Sequence, residues 1–348
     1  MKILITGNLG YIGPVLVDYI KKFDKNIQLI GLDTGYFAHC LSSIEILPEV
    51  LVDQQIFIDI RKISQSIFQG VDAVIHLSAI SNDPMGNKFE KITSNINYDS
   101  SLLCADMAAL AGVKNFVFAS SCSVYGEASA GAKKEVDIVN PLTAYAKSKI
   151  DTETALKHKK YEGMIVTNLR FATACGKSPR LRLDLVLNDF VYSAINFNKI
   201  SILSDGTPWR PLIDVEDMAK ALFWAANRDR ETGGQYLVVN AGSNENNFKI
   251  KDLAYLVSDG LGGVQVDINQ NAMPDRRSYK VDFSLFQSLI NNAYSNKPID
   301  VTIAELKASI SNLAASKIEE MNIRYKRLAT IEDHVKTQRL NEDLYWKI

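Results

Sequence analysis

The fold of this 348-residue chain is decided by one stretch near its start, Thr6-Gly7-Asn8-Leu9-Gly10-Tyr11-Ile12-Gly13. The apolar run Lys2–Thr6 predicts a β-strand before it, and the amphipathic run Ile12–Phe23 predicts a helix after it. The first glycine permits a tight turn, the second lets the backbone approach a pyrophosphate, and the third lets the helix pack on the strand. The N–H groups at the helix start would then face the phosphates. Glycine turns also occur for purely structural reasons, but this position between a first strand and a first helix favours a dinucleotide site.

The first half of the chain alternates short β-branched runs with longer helical patterns. Further strands are predicted for Gln28–Asp33, Gln55–Asp59, Ala73–Ser78, Asn115–Ser120 and Met164–Phe171. Further helices are predicted for Ile63–Phe68, Thr93–Ala111 and Pro141–Lys160. Repeated strand–helix units with right-handed crossovers build a parallel sheet covered by helices. The predicted fold class is therefore α/β, with a Rossmann-type doubly wound parallel sheet.

The composition of the sequence changes after about Thr173, where loops and shorter elements rich in Gly, Asp and Pro begin. We assign residues 1–173 to the dinucleotide-binding domain and expect a helix and a strand within 214–242 to rejoin its sheet. A smaller α/β lobe for the substrate is expected in 174–213 and 243–299. Amphipathic patterns in 300–348 predict a helical C-terminal extension, to which no chemistry is assigned.

Composition excludes several classes of protein. Because 39 Lys and Arg residues face 40 Asp and Glu residues, the net charge is −1 and no global positive field would hold nucleic acid or a membrane surface. The four cysteines form no Cys-x-x-Cys pair and the four histidines show no metal-ligand spacing, so no metal site or disulfide framework is predicted. No apolar run approaches the roughly 20 residues of a membrane helix. With no signal-peptide pattern at Met1, we expect a cytoplasmic protein.

Two carboxylates are placed to contact a dinucleotide. Asp33 ends the second predicted strand 20 residues after Gly13, counted as 33 − 13, which is where an acidic side chain binds the adenosine ribose hydroxyls. A carboxylate there repels the extra phosphate of NADP, so NAD is favoured over NADP. Asp59 ends the third strand and is a weaker candidate for the adenine edge, with a solvated turn as an equal alternative.

A tyrosine, a lysine and a group of serines form a second constellation. Tyr145 and Lys149 are four residues apart and share one face of a predicted helix. An ammonium beside a phenol, together with a cationic nicotinamide, would lower the phenol pKa and produce a proton acceptor. A solvated Tyr–Lys pair is the competing interpretation. The fifth predicted strand ends in the polar run 120–123, at the edge where open α/β sheets bind ligands.

Five features together resemble the extended short-chain dehydrogenase/reductases, in the branch of NAD-dependent nucleotide-sugar epimerases and dehydratases. They are the glycine turn, His76-Leu77-Ser78-Ala79, Ser120-Ser121-Cys122-Ser123-Val124-Tyr125-Gly126, the pair Tyr145 and Lys149, and Leu169-Arg170-Phe171. The similarity runs from Met1 to about Ile290. The resemblance implies NAD as the cofactor, a nucleoside-diphosphate sugar as the substrate, and hydride transfer at a sugar carbinol carbon, expected to be C4.

The resemblance also implies residue roles. Tyr145 is the expected acid/base, Lys149 would hold the nicotinamide ribose and tune the tyrosine, and Ser121 would align the reacting hydroxyl, with Ser123 as the alternative if the register differs. The residues expected around the cofactor are Gly7, Asn8, Leu9, Gly10, Tyr11, Ile12, Gly13, Asp33, Asp59, Ile60, Leu77, Ser78, Ala79, Asn95, Tyr145 and Lys149.

Substrate contacts are expected from polar and basic residues that follow the strands. The run 206–217 is similar to a family segment whose arginine, here Arg210, contacts the diphosphate through a bidentate fork. The full expected set is Ser121, Ser123, Asn82, Thr173, Arg180, Arg182, Arg210, Arg276 and Arg277. A plain surface role competes evenly for Arg180 and Arg182, and a turn role competes for Asn82.

The sequence departs from the family's 4,6-dehydratases, which carry an Asp-Glu pair where this chain has Cys122 and Ser123. Epimerase chemistry is therefore the leading hypothesis. A ketoreductase or a 4,6-dehydratase of the same family, and a non-catalytic dinucleotide-binding regulator, are the alternatives. The resemblance further implies a homodimer formed through the helices Thr93–Ala111 and Pro141–Lys160.

Overall fold

The protein is described by a computed structural model that covers residues 1–42, 46–272, 275–290, 296–313 and 318–347. Its strands are β1 (Lys2–Thr6), β2 (Gln28–Asp33), β3 (Gln54–Phe57), β4 (Ala73–His76), β5 (Asn115–Ser121), β6 (Glu127–Lys133), β7 (Ile165–Phe171), β8 (Thr173–Cys175), β9 (Lys199–Ile202), β10 (Trp209–Asp214), β11 (Tyr236–Ala241), β12 (Asn247–Lys249), β13 (Gln265–Ile268) and β14 (Ser278–Val281). Its α-helices are α1 (Gly13–Phe23), α2 (Asp83–Lys88), α3 (Glu90–Ser94), α4 (Ser100–Leu110), α5 (Ala144–Lys159), α6 (Val186–Phe197), α7 (Val215–Ala226), α8 (Ile250–Gly260), α9 (Ser284–Leu289), α10 (Ile299–Ser311), α11 (Ile318–Tyr325) and α12 (Arg327–Lys336).

The central sheet has seven strands in the order β3-β2-β1-β4-β5-β7-β11, and every pair is parallel. Neighbouring side chains on a strand enter cores on opposite faces: Ile3 and Ile5 pack on one side with α1 and α7, and Leu4 packs on the other with α4. Both faces are covered, which is why these strands are continuously apolar. The doubly wound Rossmann-type fold predicted from the sequence is confirmed.

Three helix predictions differ from the structure in instructive ways. The predicted helix Ile63–Phe68 is only a 3₁₀ turn, Gln65–Phe68. The predicted helix Thr93–Ala111 is α3 and α4, joined by one π-helical segment, Asn95–Asp99. The helix predicted from Pro141 begins later, at Ala144, because the Thr143 hydroxyl caps it by accepting from the Ala146 N–H at 3.1 Å.

A second hydrophobic core lies in the later part of the chain. It is formed by α6, α8 and α10 with β9 and β10, around residues such as Leu187, Leu253 and Leu306. Strand β11 lies beside β7 in the central sheet, so residues 236–241 return to the first unit. The domain boundaries drawn from the sequence stay predictions.

The stretch 300–348 divides into two parts in the described residues. Helix α10 packs on α6 and α8 in the second core. The segment 326–347, which we call the C-terminal segment, instead folds back onto the loop that follows β2. Within it, Ile331, Leu340 and Leu344 enter the core on the α4 side of the central sheet.

Candidate active site

A cleft of about 790 Å³ lies between the carboxyl edge of the central sheet and the second core. Its cofactor end contains Gly7, Gly10, Tyr11, Ile12, Asp33, Asp59, Ile60, Leu77, Ser78 and Ala79. Its remaining wall contains Asn82, Ser121, Ser123, Tyr145, Lys149, Thr173, Arg182, Arg210 and Arg277. These are 19 of the residues expected from the sequence, brought to one cavity from all parts of the chain; their roles stay predictions.

The glycine turn is closed tightly against its neighbours. Gly7 has φ +75°, and a Cβ added there would lie 2.7 Å from the Ser78 backbone nitrogen. A Cβ on Gly13 would lie 2.1 Å from the Asn8 carbonyl oxygen, so helix α1 packs directly on the turn. Among the described residues, no side chain caps the start of α1 at Ile12. The N–H groups there are left for a ligand, which is the arrangement that binds a pyrophosphate.

Asp33 is fixed beside that turn by backbone donors. Its carboxylate accepts from the Leu9 N–H at 3.0 Å and from the Gly35 N–H at 2.8 Å. Burial raises the pKa of the Asp33 carboxyl, although these bonds oppose the shift. Since the carboxylate has further lone pairs and lines the cleft, it can also accept from two ribose hydroxyls. The turn and Asp33 therefore fit a dinucleotide.

Tyr145, Lys149 and Ser121 meet at the centre of the cleft. The Ser121 hydroxyl lies beside the Tyr145 phenol, close enough to lower its pKa, and Lys149 lies one turn after Tyr145 on the same helix. The Lys149 ammonium donates to the Ala119 carbonyl at 2.7 Å and lies 4.6 Å from the centroid of the Phe118 ring. The lysine is thereby held between β5 and α5, facing the cleft.

Burial controls the titration of this group. It raises the pKa of Tyr145 to about 12, despite the lowering effect of the nearby Ser121 hydroxyl. It lowers the pKa of Lys149 to about 7, although Glu153 opposes this shift. The phenol is thus protonated near neutral pH in the protein alone, and its activation depends on the charge that a ligand brings.

Ser123 offers a further hydroxyl to the cleft. Its Oγ is buried and has no hydrogen-bond partner among the described residues. A buried polar atom without a partner costs free energy, so this hydroxyl is available to a ligand group that enters the cleft. The neighbouring Cys122 is unlike it, because its thiol is fully buried and donates to the Arg170 carbonyl at 3.1 Å.

A chain of buried polar residues supports the site from below. The His76 ring bonds the Thr6 hydroxyl at 2.8 Å and the Ser101 hydroxyl at 2.8 Å, and burial lowers its pKa to about 3. The Asn97 amide accepts from the Ile80 N–H at 2.7 Å and so holds the loop that enters the cleft. These two residues were not predicted. His76 left a signal, as a polar residue at the end of the apolar strand β4, whereas Asn97 left none, because its segment Asn95–Asp99 is largely polar.

The arginines of the substrate end are paired with carboxylates. Arg210 contacts Asp275 at 3.2 Å, and Arg277 bridges Asp275 at 2.8 Å and Asp83 at 2.7 Å. Two arginines and two carboxylates thus alternate at this end, and their charges cancel. A diphosphate that binds the arginines would take the place of their carboxylate partners.

Arg182 and Asn82 converge on one carboxylate. Arg182 holds Asp184 through two bonds, of 2.9 and 3.0 Å, and the Asn82 amide donates to the same carboxylate at 2.8 Å. Burial would raise the pKa of Asp184, but Arg182 holds it below its ordinary value. The Asn82 oxygen also caps α2, so the turn role and the cleft position are both realised.

Six predicted site residues do not line the cleft. Arg180 is buried, donates to the Phe37 and Ala38 carbonyls and pairs with Glu49. Arg276 extends from the surface to Glu127. Asn95 lies on the π-helical segment outside the cleft, and the inward position is taken by Asn97. Asn8, Leu9 and Gly13 lie behind the turn, where Asn8 bonds Gln55 at 2.7 Å.

Other cleft residues had no sequence signal. Thr34, Tyr36 and Phe37 line the cofactor end from the loop after β2, and Lys326 and Arg327 reach it from the C-terminal segment. The described residues contain no group of three or more His, Cys, Asp or Glu placed to hold a metal ion. In the same part of the chain, no helix has the length and apolar character needed to span a membrane.

The fold and the cleft together define a dinucleotide-dependent α/β enzyme. The chain belongs to the NAD dependent epimerase/dehydratase family, whose model matches residues 3–242. It is 29% identical over 234 residues to an uncharacterized UDP-glucose epimerase, YtcB, of Bacillus subtilis, covering 64% of this chain and 71% of that protein. It is 26% identical over 271 residues to a UDP-glucuronate 4-epimerase of Thermodesulfobacterium geofontis, covering 74% and 80%.

Solved structures share the fold. A UDP-glucuronic acid 4-epimerase from Bacillus cereus, in complex with UDP-glucuronic acid and NAD, superposes with a TM-score of 0.75 at 22% identity, over 89% of this chain and 99% of the other. The NAD-dependent NDP-hexosamine 5,6-dehydratase TunA superposes with a TM-score of 0.76 at 22% identity, over 89% and 97%. At this identity the likeness establishes the architecture alone.

Proposed function

We propose that this enzyme is an NAD-dependent 4-epimerase of a nucleoside-diphosphate sugar, with Tyr145 as its acid/base. One observation carries the proposal: the phosphate-binding turn, Tyr145 with Ser121, and the arginines 210 and 277 all line a single cleft. The cleft is lined by the phosphate-binding turn and also by Arg210 and Arg277, so it offers groups for a cofactor and for a sugar nucleotide. The relatives that carry UDP-sugar names support the substrate class.

The chemistry follows from the residues around the sugar position. Tyr145, once ionised to the phenolate, takes the proton of the C4 hydroxyl, and the adjacent Ser121 hydroxyl donates a hydrogen bond to the same sugar oxygen. A nicotinamide held at the Tyr145 end of the cleft would supply the hydride exchange at C4 and the positive charge that favours the Tyr145 phenolate. Tyr145 then returns the proton after the sugar has turned its other face. Small polar side chains at 81, 123 and 173 leave space for that rotation.

Dehydration has less support. The 4,6-dehydratases of the family that the sequence resembles use a carboxylate pair where this chain has Cys122 and Ser123. Burial raises the pKa of the Cys122 thiol well above its ordinary value, and its proton is committed to the Arg170 carbonyl. Neither residue can serve as a carboxylate would, so removal of water lacks its acid and base at this position.

A panel of sugar nucleotides tests the proposed function. Purified enzyme is incubated with UDP-, GDP-, CDP- and dTDP-sugars, and products are identified by proton NMR and mass spectrometry. The proposal predicts a C4 epimer of unchanged mass from at least one sugar. A product lighter by water or by carbon dioxide, or net consumption of reduced nicotinamide, would assign the enzyme to a dehydratase, a decarboxylase or a ketoreductase instead.

The proposal includes a cytoplasmic homodimer that pairs through the face of α4 and α5. Leu110 on α4 is 67% exposed, which gives that face an apolar contact. Light scattering of the purified protein, with Leu110→Glu as the variant, measures the predicted dimer and its dissociation.

A further inference from the structure

The C-terminal segment brings one unusual cation into the cleft. Arg327 is 1% exposed and lines the cavity at the end that holds Tyr36 and Phe37. Its Nη2 donates to the Arg180 carbonyl at 3.0 Å, and its guanidinium lies 4.5 Å from the centroid of the Phe37 ring. Its Nη1 is buried and has no hydrogen-bond partner among the described residues.

A buried guanidinium with a free donor requires an explanation. Within the described residues Arg327 forms no ion pair, whereas Arg182 pairs with Asp184 and Arg180 pairs with Glu49. Burial lowers the pKa of Arg327 to about 10, which reflects the cost of keeping the charge there. A ligand anion at this position would offset that cost and use the free N–H group.

The position of the segment is fixed by contacts with the loop after β2. The His334 Nε2 bonds the Tyr36 carbonyl at 2.9 Å, and the Trp346 Nε1 donates to the Thr34 carbonyl at 2.6 Å. Arg61, beside β3, donates to the Asp343 carbonyl at 2.8 Å. The segment therefore borders the cleft beside the loop after β2 and the turn at Asp59. It also reaches α2 through the ion pair between Glu332 and Lys88.

We propose that Arg327 is a phosphate ligand of the dinucleotide cofactor and that the C-terminal segment completes the cofactor site. The cofactor phosphates are the anions expected here, because Arg327 bonds the Arg180 carbonyl and the neighbouring Ser178 hydroxyl donates to the Tyr11 carbonyl, next to the uncapped start of α1. The diphosphate of the sugar nucleotide is the other possible source of an anion, and the experiment separates the two. The proposal concerns the cofactor alone and holds whichever sugar is turned over.

Binding to nucleotide-free protein tests the proposal without turnover. Arg327→Met keeps the apolar stem and removes the charge, and Arg327→Gln keeps a donor without the charge. Arg339→Met is the matched control, because Arg339 lies on the same segment but pairs with Asp333 at the surface. Affinities for ADP-ribose and UDP are measured by calorimetry. The affinity for adenosine is measured by the loss of fluorescence as adenosine displaces bound NADH.

We expect both Arg327 variants to bind ADP-ribose at least tenfold more weakly, with UDP and adenosine changed less than threefold and Arg339→Met unchanged. The thermal midpoint of nucleotide-free Arg327→Met should equal or exceed that of the wild type, since a costly buried charge is gone. Retention of ADP-ribose affinity within threefold would overturn the proposal. So would an equal loss for ADP-ribose, UDP and adenosine, which indicates a general disturbance of the fold.

Discussion

Lys149 lies one helical turn after Tyr145, and its Nζ is 5.6 Å from the centroid of the Tyr145 ring. The sequence suggested that this ammonium lowers the phenol pKa. The structure instead directs Nζ to the Ala119 carbonyl, and burial is the main cause of both pKa shifts in the pair. Burial lowers the pKa of Lys149 to about 7, and both of its expected roles, holding the nicotinamide ribose and tuning Tyr145, stay predictions.

The shifted Lys149 predicts a pH dependence of stability. Its pKa is about 7 in the folded protein against 10.5 for an ordinary lysine, so the unfolded chain binds the extra proton between those values. The free energy of unfolding therefore gains from Lys149 as pH rises from 7 to 10.5, and that gain is lost as pH falls from 10.5 to 7; below pH 7 the contribution is constant. Lys149→Met lacks this pH-dependent contribution to stability. In urea unfolding of nucleotide-free protein, the free energy of unfolding of the variant relative to wild type should be highest at pH 6 and lowest at pH 10. A difference that does not change with pH would contradict the lowered pKa of Lys149.

Asp33 is predicted to select NAD over NADP. Removing the carboxylate in Asp33→Ala takes away an acceptor for the ribose hydroxyls, so NADH affinity should fall about tenfold, in line with ~1.5 kcal/mol for a charged hydrogen bond. NADPH affinity should stay or rise because the repulsion is gone. Fluorescence titration with both nucleotides measures the ratio. Asp18→Ala, which removes an exposed carboxylate on α1, should leave it unchanged. An unaltered preference in Asp33→Ala would remove Asp33 from this role.

Much of the fold could be read from local sequence. The glycine turn, the apolar strands and the Tyr145–Lys149 spacing each depend on neighbours within a few residues, and the structure places them in one cleft. The errors arise where contacts between distant parts of the chain determine which residue faces the site. Asn95 was expected near the cofactor, but Asn97, two residues later on the same π-helical segment, is the one that faces Ile80.

Arg180 and Arg327 show the same limit of local patterns. Both look like ordinary basic residues in sequence. In the structure Arg180 donates to the carbonyls of residues 37 and 38, and Arg327 lines the cleft from a segment near the end of the chain. Contacts between residues far apart in sequence, such as that of Arg327 with the Arg180 carbonyl 147 residues earlier, leave no periodic signal. Such residues can be found only after the chain is folded.

Two adjacent arginines provide a test of the substrate end. Arg277 lines the cleft and bridges Asp275 and Asp83, whereas Arg276 contacts Glu127 on the surface. Arg277→Ala should weaken UDP binding about tenfold or more, since a bidentate cation is lost and two carboxylates then face the diphosphate. Arg276→Ala should bind UDP as the wild type does. Calorimetry with UDP measures both, and equal losses in the two variants would place the diphosphate elsewhere.

The central claim is that Tyr145 exchanges a proton with the C4 hydroxyl while the C4 hydrogen leaves and returns within one active site. The most direct measurement uses the sugar nucleotide that is turned over, labelled with deuterium at C4, with wild type and Tyr145→Phe compared by NMR. We predict that the wild-type product is the C4 epimer with deuterium still at C4, and that Tyr145→Phe is slower by about 10² to 10⁴, the usual contribution of an acid/base group. Protium at C4 of the product, or wild-type turnover by Tyr145→Phe, would contradict the account.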